Sequence, residues 1–295
     1  MSRHIILLSM KNSYPSEVYM NGKWLPAAEA TVSVFDRGFM FGDGIYEVTP
    51  FYGGKPFLLQ EHLDRMSYCL KEIDLEFEKK DLKKLIFEAV DRAGLAQNDC
   101  AVYLQVTRGK APRTHHFPQQ VEPTFLMYAF AVQLEGFEDR KLTIKLSPDI
   151  RWQRCDIKSI SLMANTMLNS EAIQKGHFEN VLFRNNRITE GSHSSIFFIK
   201  DQKVYTHPEG PEILSGITRR FVIELCTELE IEVIEEAVSL EELSAMEGIF
   251  LTGTTTQILH VTSVFQNDRE LYNSSEAGAI TKKLQEAFRK KTRGL

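Results

Sequence analysis

Ile150-Arg151-Trp152-Gln153-Arg154-Cys155-Asp156-Ile157-Lys158-Ser159 is the stretch on which the reading of this chain turns. Lys158 is flanked by Ile157, Ile160 and Leu162, so it is expected to leave water. Burial disfavours an ammonium and lowers its pKa. That prepares a neutral amine able to attack a carbonyl. A lysine at a strand end can also lay its stem on apolar surface and keep its head wet, so the surrounding chain has to decide.

Outward from that stretch, the chain has 295 residues, of which 43% are hydrophobic. That is enough for a large core and fits two domains better than one. The net charge of −5 gives no electrostatic reason to bind nucleic acid or an acidic membrane. The run Lys79-Lys80-Asp81-Leu82-Lys83-Lys84 reads as the wet face of a helix. Cys69, Cys100, Cys155 and Cys226 have neither zinc nor redox-motif spacing and read as small apolar residues in a reducing compartment. No metal site is expected. The apolar run Ile5 to Leu8 is too short for a signal segment, and no stretch approaches membrane-spanning length. A soluble, cytoplasmic protein is expected.

Val18 to Trp24 carries Asn21-Gly22, a strong hairpin signal. Ile45 to Tyr52 reads as a strand that ends at Gly53-Gly54 and resumes over Pro56 to Leu59. Leu63, Met66, Leu70 and Ile73 recur at helical spacing, as do Leu82, Leu85, Ile86 and Ala89. Strands follow at Val102 to Thr107 and Thr124 to Val132, separated by a polar loop from Arg108 to Pro123. Leu134 to Glu138 reads as a linker, dividing the chain into domains at 1–134 and 135–295. Beyond it the pattern predicts a strand at Leu142 to Leu146 and a helix over Asn165 to Lys175. Short strands from Glu179 to Thr206 and a helix over Ile217 to Leu229 come next. Strands at Ile231 to Ile234 and Ile249 to Thr252 precede a last helix from Glu276 to Lys290. The expected class is mixed α/β (α+β) with many antiparallel hairpins.

Several groups could serve chemistry around Lys158. Thr189-Glu190-Gly191-Ser192 reads as an acidic turn, and a carboxylate there could keep an aromatic ring nitrogen protonated. Ser215-Gly216-Ile217-Thr218 opens a helix after Leu214, offering backbone N–H groups and a hydroxyl to an anion. Gly253-Thr254-Thr255-Thr256 is a second cluster of small donors at a strand end. Arg65 either pairs with Glu61 one helical turn away or clamps a phosphate with two parallel hydrogen bonds. Arg113 and His115, two apart in an extended segment, would point the same way and could both donate to a carboxylate.

Together these residues resemble the fold-type IV, pyridoxal-phosphate-dependent aminotransferases, over nearly the whole chain. The most specific pieces are Asp36-Arg37-Gly38-Phe39-Met40-Phe41-Gly42-Asp43-Gly44-Ile45-Tyr46-Glu47-Val48, Asp149 to Ser159, Thr189 to Ser192, and Gly216 to Arg219. The loop from Thr107-Arg108-Gly109 to Pro112-Arg113-Thr114-His115-His116-Phe117-Pro118 is similar to that of the D-amino-acid branch. The resemblance implies a two-domain fold with pyridoxal 5'-phosphate in the cleft between domains. It implies that Lys158 binds the cofactor as a Schiff base and shuttles the substrate proton, while Glu190 faces the pyridine nitrogen. Arg65, Ile217, Thr218 and Thr254 would hold the phosphate, and Leu214 would pack on the ring. Arg113 and His115 would bind the substrate carboxylate from the neighbouring subunit of a homodimer.

This chain departs from the pattern at three places. Phe39 stands where a tyrosine is usual on the substrate side, Ser195 and His193 change the run after Glu190, and Gly253 replaces a serine before Thr254. The implied reaction moves an amino group between a D-amino acid and a 2-oxo acid, 2-oxoglutarate or pyruvate. The alternatives are an (R)-selective amine transaminase, a branched-chain aminotransferase, an aminodeoxychorismate-lyase-like enzyme, or a cofactor-binding protein without turnover.

Overall fold

The structure, a computed structural model, describes residues 15–78, 80–136, 140 and 142–294. The Ile5–Leu8 run, Lys79 and the linker residues 137–138 lie outside the described residues. The chain divides into two compact units, Met1–Gln133 with Ile157–Leu162, and Leu134–Asp156 with Met163–Leu295.

In the first unit, β1 (Glu17–Met20) and β2 (Lys23–Pro26) form the expected hairpin. Asn21 and Gly22 close it at φ 47° and 99°, left-handed values that match the twist of a two-residue hairpin turn. α1 (Arg37–Phe41) is capped by the Asp36 side chain, which accepts from the Gly38 N–H at 2.8 Å. β3 (Gly44–Tyr52) and the two-residue β4 (Lys55–Pro56) follow. The expected continuation to Leu59 stops there, because α2 (Leu59–Glu72) begins at Leu59. α3 (Leu82–Arg92), β5 (Cys100–Thr107) and β6 (Thr124–Ala131) complete the unit.

Among the described residues the sheet has six strands in the order β2-β1-β6-β5-β3-β4. The apolar stripes of the two longer helices, Met66, Cys69 and Leu70 on α2 and Ile86, Ala89 and Val90 on α3, bury in the same core as Phe51, Leu104 and Met127. The larger of these, Met66, Leu70, Ile86, Val90, Phe51, Leu104 and Met127, each contribute about 1.5–3 kcal/mol on leaving water. Lys80, Lys83 and Lys84 are exposed, as a wet helix face requires.

The segment Ile157–Leu162 packs with this unit although its chain neighbours on both sides belong to the other. β4 pairs only with Phe51 and Tyr52, which leaves the start of β3 with an open edge. The segment fills it. Tyr46 N–H donates to the Lys158 carbonyl at 3.0 Å, Ile160 N–H donates to Gly44 at 3.1 Å, and Ile157 enters the core.

In the second unit the order is β7 (Leu142–Pro148), α4 (Met163–Gln174), β8 (Glu179–Arg184), β9 (Arg187–Gly191), β10 (Ser195–Lys200) and β11 (Lys203–Thr206). Then come α5 (Ile217–Glu228), β12 (Val233–Glu235), β13 (Gly248–Gly253), β14 (Gln257–Gln266), β15 (Arg269–Asn273) and α6 (Ala279–Arg293). β14 and β15 were not expected from the sequence. β12 lies over Val233–Glu235 rather than Ile231 to Ile234, and α6 starts at Ala279 rather than Glu276. The sheet runs β12-β11-β10-β13-β14-β7-β8-β9, with β15 on β14. Its core gathers Ile144, Val181, Phe198, Ile249, Leu251 and Val261. The four cysteines are buried and unbridged. Among the described residues no helix is long and apolar enough to cross a membrane, and no cluster of three or more His, Cys, Asp or Glu could hold a metal ion.

Candidate active site

In the first unit Lys158 is half-buried, not buried as its apolar flanks suggested. Alternation explains the difference, since Ile157 and Ser159 turn inward on the added strand and Lys158 turns the other way. Its Nζ lies 4.2 Å from the centre of the Tyr46 ring, and its own N–H donates to Cys69 Sγ at 3.3 Å.

Next to it is a buried charge cluster that was not read from the sequence. Arg65 does not face Glu61. Its Nε and Nη2 donate to Glu47 Oε2 and Oε1 at 2.9 and 2.7 Å, and His62 Nδ1 sits 2.9 Å from Oε1. Burial alone would raise the Glu47 pKa, but Arg65 and His62 together hold it well below the usual carboxylate range. Burial lowers the His62 pKa, and the Arg65 and Lys158 charges push the same way against Glu47. The signal available in the sequence was the pairing of Tyr46-Glu47 with His62 and Arg65, two helix positions three apart.

The loop from Arg108 to Pro123 is held at its ends by Gly109 at φ 90°, where any Cβ would meet the Glu122 carbonyl. The segment at Arg113 and His115 is bent rather than extended, and both residues are exposed. The two side chains nevertheless share a neighbour. The Arg113 guanidinium carbon is 5.1 Å from the centre of the Phe41 ring, and the His115 ring is 5.9 Å from it at 62°. Phe39 stands 75% exposed on α1. The tyrosine beside Lys158 is Tyr46.

In the second unit Glu190 lies in β9 and is buried, so it is a strand residue and not part of a solvated turn. Arg151 Nη1 donates to its Oε1 at 2.6 Å, and Leu214 N–H reaches both carboxylate oxygens at 3.1 Å. Even so, burial dominates and pushes the Glu190 pKa up to about 7. Arg151 is divided, with Nε and Nη2 spent on Asp149 at 3.0 and 2.9 Å.

The turn after Glu190 is organised by Glu179, a buried carboxylate that accepts from His193 N–H and Ser194 Oγ at 2.6 Å and from Ser192 Oγ at 3.2 Å. His193 therefore lies against Glu179, with Nδ1 3.0 Å from its Oε1.

α5 opens at Gly216 with no side-chain cap on its first N–H groups, and Thr218 is buried in that turn. A Cβ on Gly216 would lie 2.8 Å from Ser195 Oγ. Ser195 thus stands at the start of α5. Thr254 is half-buried in the turn between β13 and β14.

The sequence profile of the family Amino-transferase class IV matches residues 44–264. This chain belongs to that family. It is 38% identical over 275 residues to the D-alanine aminotransferase of Bacillus licheniformis, covering 92% of this chain and 95% of the relative. It is 36% identical over 279 residues to the D-alanine aminotransferase of Staphylococcus aureus (strain N315), covering 93% and 97%. The fold is that of the branched-chain amino acid aminotransferase of Escherichia coli, at a TM-score of 0.86, 22% identity and 95% and 96% coverage. The T.th. branched-chain amino acid aminotransferase, solved with pyridoxamine 5'-phosphate, matches at a TM-score of 0.83, 22% identity and 95% coverage of both chains. Class IV aminotransferases are pyridoxal-phosphate enzymes, and this mixed α/β chain is one of them.

Proposed function

We propose that this enzyme moves an amino group between a D-amino acid and a 2-oxo acid, pyruvate or 2-oxoglutarate. The observation that carries the reading is the 38% identity to a D-alanine aminotransferase over 92% of the chain. The loop containing Arg113 and His115 lies within that reach and supplies two donors for a substrate carboxylate.

The residues fit the cofactor. A carboxylate held up at about 7 beside an arginine lacks positive charge, and a protonated ring nitrogen would complete it. The uncapped start of α5 is suited to a phosphate, with Ile217 and Thr218 N–H groups and the Thr218 hydroxyl as donors. Arg65, Thr254 and Leu214 complete the proposed set, Leu214 against the ring. When bound, the cofactor supplies an electrophilic carbon and an electron-withdrawing ring.

The chain's own groups do the rest. Lys158 provides the amine that holds the cofactor and carries the proton to and from the substrate Cα. Glu190, ionised once a cation adjoins it, keeps the ring nitrogen protonated, and Arg151 fixes its direction. Glu47 holds Arg65 in place. Arg113 and His115 orient the substrate by its carboxylate, with Phe39 on the substrate side. The Tyr46 hydroxyl is a candidate for the donor that Phe39 lacks.

We further propose a cytoplasmic homodimer. Val34 at 65%, Phe35 at 56% and Phe39 at 75% exposure leave apolar surface beside α1 that a second copy would cover.

A donor panel tests the reading. With pyruvate or 2-oxoglutarate as acceptor, D-alanine is expected to exceed L-alanine, L-leucine and an (R)-arylethylamine in kcat/KM by at least about tenfold, ~1.4 kcal/mol in the barrier. Preference for L-leucine or the amine would overturn it.

A further inference from the structure

The loop that carries Arg113 and His115 has no helix or strand of its own, yet a carboxylate clamp works only if its donors are held in a narrow range of directions. Asp43 is the anchor. It accepts from Arg37 Nε at 2.7 Å and from Arg108 Nε at 2.9 Å, and all three side chains are buried. Each arginine then reaches further. Arg37 Nη1 donates at 2.6 Å to the carbonyl of Thr114, the residue between Arg113 and His115. Arg108 donates to the Ile73 and Asp74 carbonyls at 2.6 and 2.8 Å, which ties the loop base to the end of α2. Its guanidinium also lies 3.6 Å from the centre of the Phe117 ring.

Phe41 completes the arrangement. Its ring centre has the Arg37 guanidinium at 4.7 Å, the Arg113 guanidinium at 5.1 Å and the centre of the His115 ring, tilted by 62°, at 5.9 Å. A ring face attracts cations directionally, whereas an aliphatic side chain of similar size does not.

We infer that Phe41, backed by the Arg37–Asp43–Arg108 clamp, is the positioning residue that aims Arg113 and His115 at the substrate α-carboxylate. The inference rests on the reading of those two residues given above. Phe41 needs no contact with substrate for this role. It limits where two otherwise exposed side chains can go. Amino donor and 2-oxo acceptor both present an α-carboxylate, so a loss of aim should weaken both alike.

Steady-state kinetics of the cofactor-loaded enzyme with D-alanine and 2-oxoglutarate provide the test. Phe41→Leu is expected to raise KM for both substrates by about three- to thirtyfold, the size of one cation–ring contact, and to keep kcat within about twofold. Phe41→Tyr, which retains the ring, restores KM. Arg37→Lys, which cannot hold Asp43 and the Thr114 carbonyl together, raises KM for both in the same way. Arg113→Ala is the reference. If it raises KM while Phe41→Leu and Arg37→Lys match the parent, the positioning role is wrong and the carboxylate reading stands. If Arg113→Ala itself leaves KM unchanged, the carboxylate reading fails and the positioning role fails with it. A fall in kcat with KM unmoved would also overturn the inference.

Discussion

Glu47 and Glu190 are both buried glutamates with an arginine nitrogen at 2.7 and 2.6 Å, yet they titrate in opposite directions. Desolvation is the largest influence on each and raises both. What differs is how much positive charge each one commands. Glu47 takes two nitrogens of Arg65 and has His62 on the same oxygen as one of them. Glu190 takes one nitrogen of Arg151, whose Nε and Nη2 serve Asp149, and the Asp149 charge itself works against Glu190. Glu47 is satisfied by the protein. Glu190 meets one guanidinium nitrogen and one backbone N–H, and burial outweighs them. A buried charge completed within the fold is a structural element, and one left incomplete is suited to a ligand.

The largest expected effect separates the two by function. Glu190→Gln should lower kcat/KM with D-alanine by about 10²- to 10³-fold, the range for losing one preorganised electrostatic partner. Activity within threefold of the parent would remove Glu190 from the chemistry.

Glu47→Gln should act first on stability. It leaves the Arg65 guanidinium buried against a neutral amide, at a cost of about 3–5 kcal/mol, measurable by urea denaturation of the cofactor-free protein. An unchanged midpoint would show that Arg65 finds compensation elsewhere.

The pH dependence sharpens the contrast. The Glu190 pKa is raised, so folding favours its protonated form. The stability this gives is present at pH below the ordinary carboxylate value and is lost as pH rises through about 7. In the cofactor-free protein the parent should therefore lose stability relative to Glu190→Gln over that window. The Glu47 pKa is lowered, so its stabilisation is present above the ordinary carboxylate value and is lost as pH falls below it. Parallel stability curves for Glu190→Gln and Glu47→Gln would refute the distinction.

The smallest effect is a control in the turn between β1 and β2. Gly22→Ala meets no atom within 4 Å but sits at φ 99°, so it should cost about 1 kcal/mol of stability through backbone strain and leave turnover alone.

Local signals in the sequence were legible because their causes are local. Asn21-Gly22 fixes a hairpin through backbone angles, and Gly216 leaves a helix start uncapped. The apolar repeats of α2 and α3 follow one helix face each. β14 was not legible because Gln257 to Val264 is buried on both faces, which erases the alternation that marks a half-exposed strand. The pairing of Arg65 with Glu47 is not legible in the sequence, because it forms across the packing of α2 on β3 while Glu61 is nearer along the chain. The apolar neighbours of Lys158 suggest burial, but strand alternation turns it away from them. Arg151 carries no local signal of its role, since only the fold brings it, from the bend after β7, to Glu190 in β9.

The claim that everything rests on is that the amine of Lys158 performs the chemistry. Turnover of D-alanine with 2-oxoglutarate by Lys158→Ala, in buffer free of added amines, tests it most directly. The expected result is a loss of at least about 10³-fold with the fold intact by circular dichroism. Turnover equal to that of the parent would contradict the account.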